Sequence, residues 1–201
     1  METFSDGVFA IAITLLVLTI AQPVRADYFD LRHALFDRWP SLAAYAVSFV
    51  VIGIMWVNHH TVFSHLQRID RGLFYWNLAL LMTIVFIPYP TEVFGEALRL
   101  GHGAQTAAVL YSLTMTVNAL MWTGLWLHAS RRRRLLLDEF PESQRTVSTL
   151  LFNAGAVLYL ISVGMAFINA YLCLIFQAVL ALYYALDPIS RRLEHANPGP
   201  T

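Results

Sequence analysis

FSDGVFAIAITLLVL, residues 4–18, decides the fold of this chain. One carboxylate stands at its start, and no charged residue follows until Arg25. A helix that crosses a bilayer needs about 20 mostly apolar residues. The same criterion applies along the rest of the chain. Lys, Arg, Asp and Glu are absent from 39–67, 72–91, 100–130 and 146–186 as well as from 7–24. The last gap is twice one span, and Asn169 near its middle offers a tight polar turn. Six transmembrane helices are therefore predicted, near 4–22, 41–63, 72–94, 104–128, 147–168 and 170–186. The fold class is all-α, an integral membrane protein, with a single domain over 1–193. The residues from 194 to 201, which include Asn197-Pro198-Gly199-Pro200, are expected to be a disordered cytoplasmic tail.

Composition agrees with that class. Apolar types make up 58% of the 201 residues and charged types 13%, against about a quarter charged in soluble domains. The net charge of zero gives no bulk attraction to nucleic acid. The single cysteine, Cys173, cannot form an internal disulfide. The leader Met1-Glu2-Thr3 is acidic, unlike the basic n-region of a signal peptide, so the first helix is expected to be retained. Loops after odd helices carry four Arg (25, 32, 38 and 99); loops after even helices and the tail carry nine. By the positive-inside rule both termini face the cytoplasm. Arg131-Arg132-Arg133-Arg134 is read first as a topology determinant, and second as a contact for anionic headgroups. Pro88 and Pro90 are expected to end the third helix before Thr91.

At ~100° per residue, Ile11, Leu15 and Leu18 fall on one narrow stripe of the first helix, with Thr14 at its edge. Ser5 and Asp6 fall well away from it. A stripe of this kind serves either as a lipid or bundle contact or as a pore wall whose hydrophobic constrictions gate by dewetting. Asp6 either caps the helix N-terminus or is a functional carboxylate with a polar partner. Such partners are available at the same depth: Trp56, Asn58, His59 and His60 on the second span and Asn77 on the third. Interhelical hydrogen bonds among them would make a structural brace. His60 and His65 lie five apart, and neither HExxH nor CxxC occurs, which disfavours a metal site. A proton relay through His59 or His60 stays open, and with it a proton- or ion-coupled secondary transporter using Asp6 and these histidines.

Residues 4–18, together with WVNHHTVFSHLQRIDRGLFYWNLALLMTIVFIPYPTE at 56–92, resemble the first three helices of bacterial members of the transmembrane protein 175 family of potassium channels. The resemblance covers about half the chain; from the fourth helix on it is one of hydropathy only. It implies a homotetrameric potassium channel, not an enzyme, in the bacterial inner membrane. In such a channel the first helix of each subunit lines the pore, with no re-entrant filter, no cofactor, potassium as the permeant ion and lipids as the surroundings. On this chain the implied constriction falls on Ile11, Leu15 and Leu18, and a hydroxyl position linked to ion preference falls on Thr14. Phe4, Ser5 and Asp6 would brace the first helix against the second and third. The family's Arg, four residues before the motif Phe, would fall at the position just before Met1; in a member without it, the brace would lean on Trp56, His59 or His60, and Asn77.

Overall fold

A computed structural model describes residues 1–131, 135–137 and 142–186. Among them the structure is helical with no β-strand; one isolated antiparallel bridge joins Leu66 to Leu136. The helices are α1 (Glu2–Leu15), α2 (Leu31–Phe36), α3 (Trp39–Ser64), α4 (Arg71–Phe86), α5 (Pro88–Leu100), α6 (Ala104–Arg131), α7 (Glu142–Ile168) and α8 (Ala170–Leu186). The tail expected to be disordered (194–201) and Arg132–Arg134 lie outside the described residues.

Among the described residues, five stretches are long and apolar enough to cross a membrane: Glu2–Thr19, Trp39–Ser64, Arg71–Leu100, Ala104–Arg131 and Arg145–Ile168. The sixth predicted span, α8, is apolar but only 17 residues long. At ~1.5 Å per residue it reaches about 26 Å, slightly less than a ~30 Å hydrocarbon core. The turn expected at Asn169 is present. Its Oδ1 accepts hydrogen bonds from the Tyr171 and Leu172 amides at 2.8 and 3.1 Å, capping α8.

Three features depart from the sequence reading. First, α1 does not run to residue 22. It tightens into a 3₁₀ turn over Leu16–Thr19, and Ile20 is extended with ψ 105°. Thr19 Oγ1 donates to the Leu16 carbonyl at 2.7 Å and so satisfies one orphan acceptor of the helix end.

Second, Pro88 and Pro90 do not end the third span. The Pro88 nitrogen cannot donate to the Ile84 carbonyl, and that carbonyl accepts from Ile87 N at 3.1 Å instead. Ile87 keeps helical angles (φ −53°, ψ −40°), and α5 continues through Leu100 to a left-handed Gly101 (φ 70°). Prolines are tolerated here because they occupy the first turn of the new helix, where amide donors have no intrahelical partner. Thr91 Oγ1 is shared between the Ile87 carbonyl (2.8 Å) and the buried Ser48 hydroxyl (2.8 Å), which in turn meets Tyr111 OH at 2.9 Å. The buried Ser48, Thr91 and Tyr111 hydroxyls thus satisfy one another beside the break.

Third, the segment between the first two spans is structured, with a 3₁₀ turn over Arg25–Asp30 followed by α2. Arg38, counted above as a topology charge, is a buried clamp for it. Its guanidinium donates to the carbonyls of Ala21 (3.0 Å), Ala34 (2.6 Å) and Gln22 (3.4 Å) and to Asp27 Oδ2 (2.8 Å). This hydrogen bond and the Val24 amide hold the Asp27 carboxyl below the usual carboxylate range.

Small residues set the closest helix approaches. A Cβ at Gly95 of α5 would stand 2.8 Å from the Ser41 Cα on α3, and one at Gly124 of α6 would strike the Trp76 ring on α4. Glycine is the residue that lets helices meet at that range in a membrane protein. The core that results contains Trp126, Tyr111, Phe94, Ile52, Leu80 and Ile84. On the Arg131 side, the α3–α4 connection pairs with residues 135–137: Gln67 N donates to the Leu135 carbonyl (3.0 Å) and Leu137 N to the His65 carbonyl (3.0 Å). At the other end Trp39 stacks on Tyr171, their rings 6.1 Å apart.

Candidate functional site: the first helix and its brace

α1 lies along one flank of the bundle. It packs against α3 and α4, and its 3₁₀ extension packs against α3 and α5. Its inner face is Ser5, Phe9, Ala12, Leu16 and Thr19, all buried. The spacing of four, three, four and three keeps these five on one side of the helix.

The polar end of that inner face is held by one chain of hydrogen bonds. Asn77 Nδ2 on α4 donates to Ser5 Oγ at 3.1 Å, and Ser5 Oγ donates to the Met1 carbonyl at 3.3 Å. Asn77 Oδ1 is left as an acceptor and pairs with His59 Nε2 at 2.8 Å. The order fixes the imidazole: Nε2 carries the proton. Rings enclose that imidazole. Phe63 stacks on it with centroids 4.1 Å apart, Phe9 of α1 meets it edge-on at 5.3 Å, and Trp122 stands at 6.1 Å.

A second, more exposed pair of contacts runs beside the first. Trp56 Nε1 donates to Asp6 Oδ1 at 2.9 Å, and His60 Nδ1 lies 2.7 Å from Glu2 Oε1. Trp56 and His60 also stack, 6.3 Å apart. The tertiary structure therefore brings together Ser5, Asp6, Trp56, His59, His60 and Asn77. Phe4 is not among them; it is 59% exposed on the single chain. Glu2 belongs with the group, although the sequence reading treated it only as part of an acidic leader. The available signal was its spacing, four residues before Asp6 on the same helix.

The opposite face is bare. Ile11 (57% exposed), Leu15, Leu18 (71%) and Thr14 all point away from the subunit. Thr14 Oγ1 donates back to the Ala10 and Ile11 carbonyls, both at 2.9 Å, so its remaining lone pairs face outward. The 3₁₀ turn places Leu18 in line with Leu15, because residues three apart eclipse in that geometry. Among the described residues, no group of three or more His, Cys, Asp or Glu is placed to hold a metal ion.

Long apolar helices, with most buried polar side chains hydrogen-bonded to one another across the bundle, define a multi-pass helical membrane protein. Comparison with known proteins narrows the class. The family model described as endosomal/lysosomal potassium channel TMEM175 matches residues 1–88. A potassium channel of Streptomyces collinus is 45% identical over 189 residues, covering 94% of this chain and 92% of that one. The crystal structure of a lysosomal potassium-selective channel TMEM175 homolog from Chamaesiphon minutus superposes with a TM-score of 0.83 at 40% identity, covering 92% of this chain and 94% of that one. A more distant relative, the endosomal/lysosomal proton channel TMEM175 of Homo sapiens, is 29% identical over 233 residues that span all of this chain and 46% of that protein. The chain belongs to the TMEM175 family, whose members are ion channels and not enzymes.

Proposed function

We propose that this protein is a potassium-permeable cation channel in which four copies surround a pore lined by α1. The observation that carries the reading is the division of α1 into two faces. One is fastened to α3 and α4 through Ser5, Asp6 and Phe9; the other presents Ile11, Thr14, Leu15 and Leu18 away from the subunit. One subunit cannot wrap a channel with a single helix. Helices are about 10 Å across with side chains; three leave almost no bore, and four leave one that branched side chains can close. Ile11, Leu15 and Leu18 act as stacked hydrophobic constrictions, which gate by wetting. Thr14, between them, offers outward oxygen lone pairs to a partly dehydrated ion. Preference for potassium then comes from the cost of dehydration. The potassium channel names of the bacterial relatives support this permeant ion.

The subunit crosses the bacterial inner membrane six times, with α8 as the sixth crossing, and both termini are cytoplasmic, where the Arg-rich loops lie. Ser5, Asp6, Trp56, His59, His60 and Asn77 brace the pore helix. No cofactor takes part.

The alternative, a proton-coupled transporter, would need a polar path from the histidines to the permeation route. The chain from His59 through Asn77 and Ser5 ends at the Met1 carbonyl, on the side of α1 away from the stripe. Single-channel recording in a planar bilayer tests the reading. Resolved unitary currents with a potassium-directed reversal potential are expected; a flux without unitary steps would replace the channel by a carrier.

A further inference from the structure

A cavity of about 70 Å³ lies inside the subunit, away from α1, between α3, α6, α7 and α8. Its walls are apolar and aromatic, with Trp122, Phe152 and Tyr159 among them. Two amide side chains interrupt these walls, Asn118 on α6 and Asn58 on α3. Asn118 is fully buried, and its orientation is fixed. Thr83 Oγ1 donates to the Leu80 carbonyl (2.7 Å), so it accepts from Asn118 Nδ2 (2.7 Å). This turns the Asn118 carbonyl away from Thr83. Asn118 Oδ1 and Asn58 Oδ1 are both buried acceptors without a hydrogen-bond donor among the described residues. A buried amide oxygen left unpaired in an apolar setting is costly, so a donor that reaches Asn118 Oδ1 is favoured.

The cavity is not closed. Ile54, Asn58, Leu151 and Tyr184 in its lining are only partly buried, so it opens between membrane-spanning helices. An opening between membrane-spanning helices admits an occupant that is soluble in the hydrocarbon phase. No carboxylate is among the lining residues. An ammonium group would therefore be buried without a counter-charge, which argues for a neutral donor. The volume admits a small polar head but not a whole chain; a 150 Å³ apolar cavity is what holds benzene. We infer that this cavity binds the hydroxyl head of a neutral single-chain amphiphile, a long-chain alcohol or monohydroxy lipid. Its O–H donates to Asn118 Oδ1, and its tail leaves between α3, α7 and α8. The site is separate from the proposed pore and does not depend on it, since none of its lining belongs to α1.

Photolabelling the full-length protein in nanodiscs with an octanol that carries a diazirine tests the inference, with adducts mapped by mass spectrometry. Adducts are expected on Tyr159, Tyr184 or Trp122. Octanol should compete for them about fivefold better than its isomer dibutyl ether, the equivalent of one neutral hydrogen bond. Gly155→Leu should abolish these adducts, because a side chain at Gly155 points at the Tyr184 hydroxyl 3.2 Å from its Cβ. Asn118→Leu should reduce them severalfold and remove the preference for octanol over the ether. If that variant does not fold, Asn58→Val serves in its place. Equal competition by the ether, or adducts spread evenly over the lipid-facing side chains, would overturn the inference.

Discussion

Ser5 and Asn77, 72 positions apart in the chain, are joined by a 3.1 Å hydrogen bond inside the membrane-spanning bundle, and both side chains are buried. Exchanging Asn77 for an apolar residue leaves the buried His59 Nε2–H without an acceptor and removes the donor to Ser5 Oγ. Asn77→Leu is expected to destabilise the subunit by about 1–3 kcal/mol, the usual cost of an orphaned buried polar group. Thermal unfolding in detergent measures it. An unchanged midpoint would show that the His59–Asn77–Ser5 chain contributes nothing to holding α1.

Asp6 is expected to act on assembly more than on permeation. Its carboxylate accepts from Trp56 Nε1 on the inner side of α1, roughly 140° from the stripe by helical arithmetic. Asp6→Ala should lower the yield of assembled protein on size-exclusion chromatography and leave the reversal potential of the assembled fraction unchanged. Normal assembly with lost selectivity would put Asp6 in the permeation path.

Ile11→Asn places an amide on the exposed face of α1 at one of the proposed constriction rings. Wetting becomes easier there, so conductance should rise and discrimination between potassium and sodium should fall. Reversal potentials under bi-ionic conditions measure the ratio. If both ratio and conductance stay at the wild-type values, Ile11 is not a pore residue.

A cysteine scan along α1 tests the four-fold arrangement. The background is Cys173→Ser, a small change at a buried thiol that lies 3.2 Å from Ser112 Oγ. Cross-links should peak at Ile11, Leu15 and Leu18 and build a ladder that stops at four subunits. A ladder stopping at two, or a peak at Ser5 and Asp6, would refute a central pore lined by α1.

Asp27 gives a pH prediction. Its folded pKa is lowered from 3.8, chiefly by the Arg38 hydrogen bond. A depressed carboxyl contributes stability that is present above its unfolded pKa and is lost as pH falls through the lower folded value. Wild type should therefore melt above Asp27→Asn at neutral pH, and the two midpoints should converge as the pH drops below ~4. A gap that stays constant into acid would mean that the Asp27 charge plays no part in the clamp.

The chain by itself determined the membrane class, because hydropathy acts residue by residue and needs no knowledge of neighbours. Runs without Lys, Arg, Asp or Glu marked the long apolar helices, and the Asn169 turn was legible because the last such run is twice one span and needs a polar break near its middle. Helical arithmetic also separated Ile11, Leu15 and Leu18 from Ser5 and Asp6 before any contact was known. It could not tell a bare face from a packed one, since both are apolar in lipid. That required the bundle, which covers Phe9 and Ala12 and leaves Ile11 and Leu18 open. Tertiary structure also decided the fate of Pro88: a proline breaks the local hydrogen bond wherever it stands, but here Ile87 keeps helical angles, its amide takes over the Ile84 carbonyl, and the chain continues as α5. Arg38 is the plainest case. Its charge was visible in the sequence, whereas its burial on the carbonyls of Ala21, Gln22 and Ala34 exists only once those backbones have been brought around it.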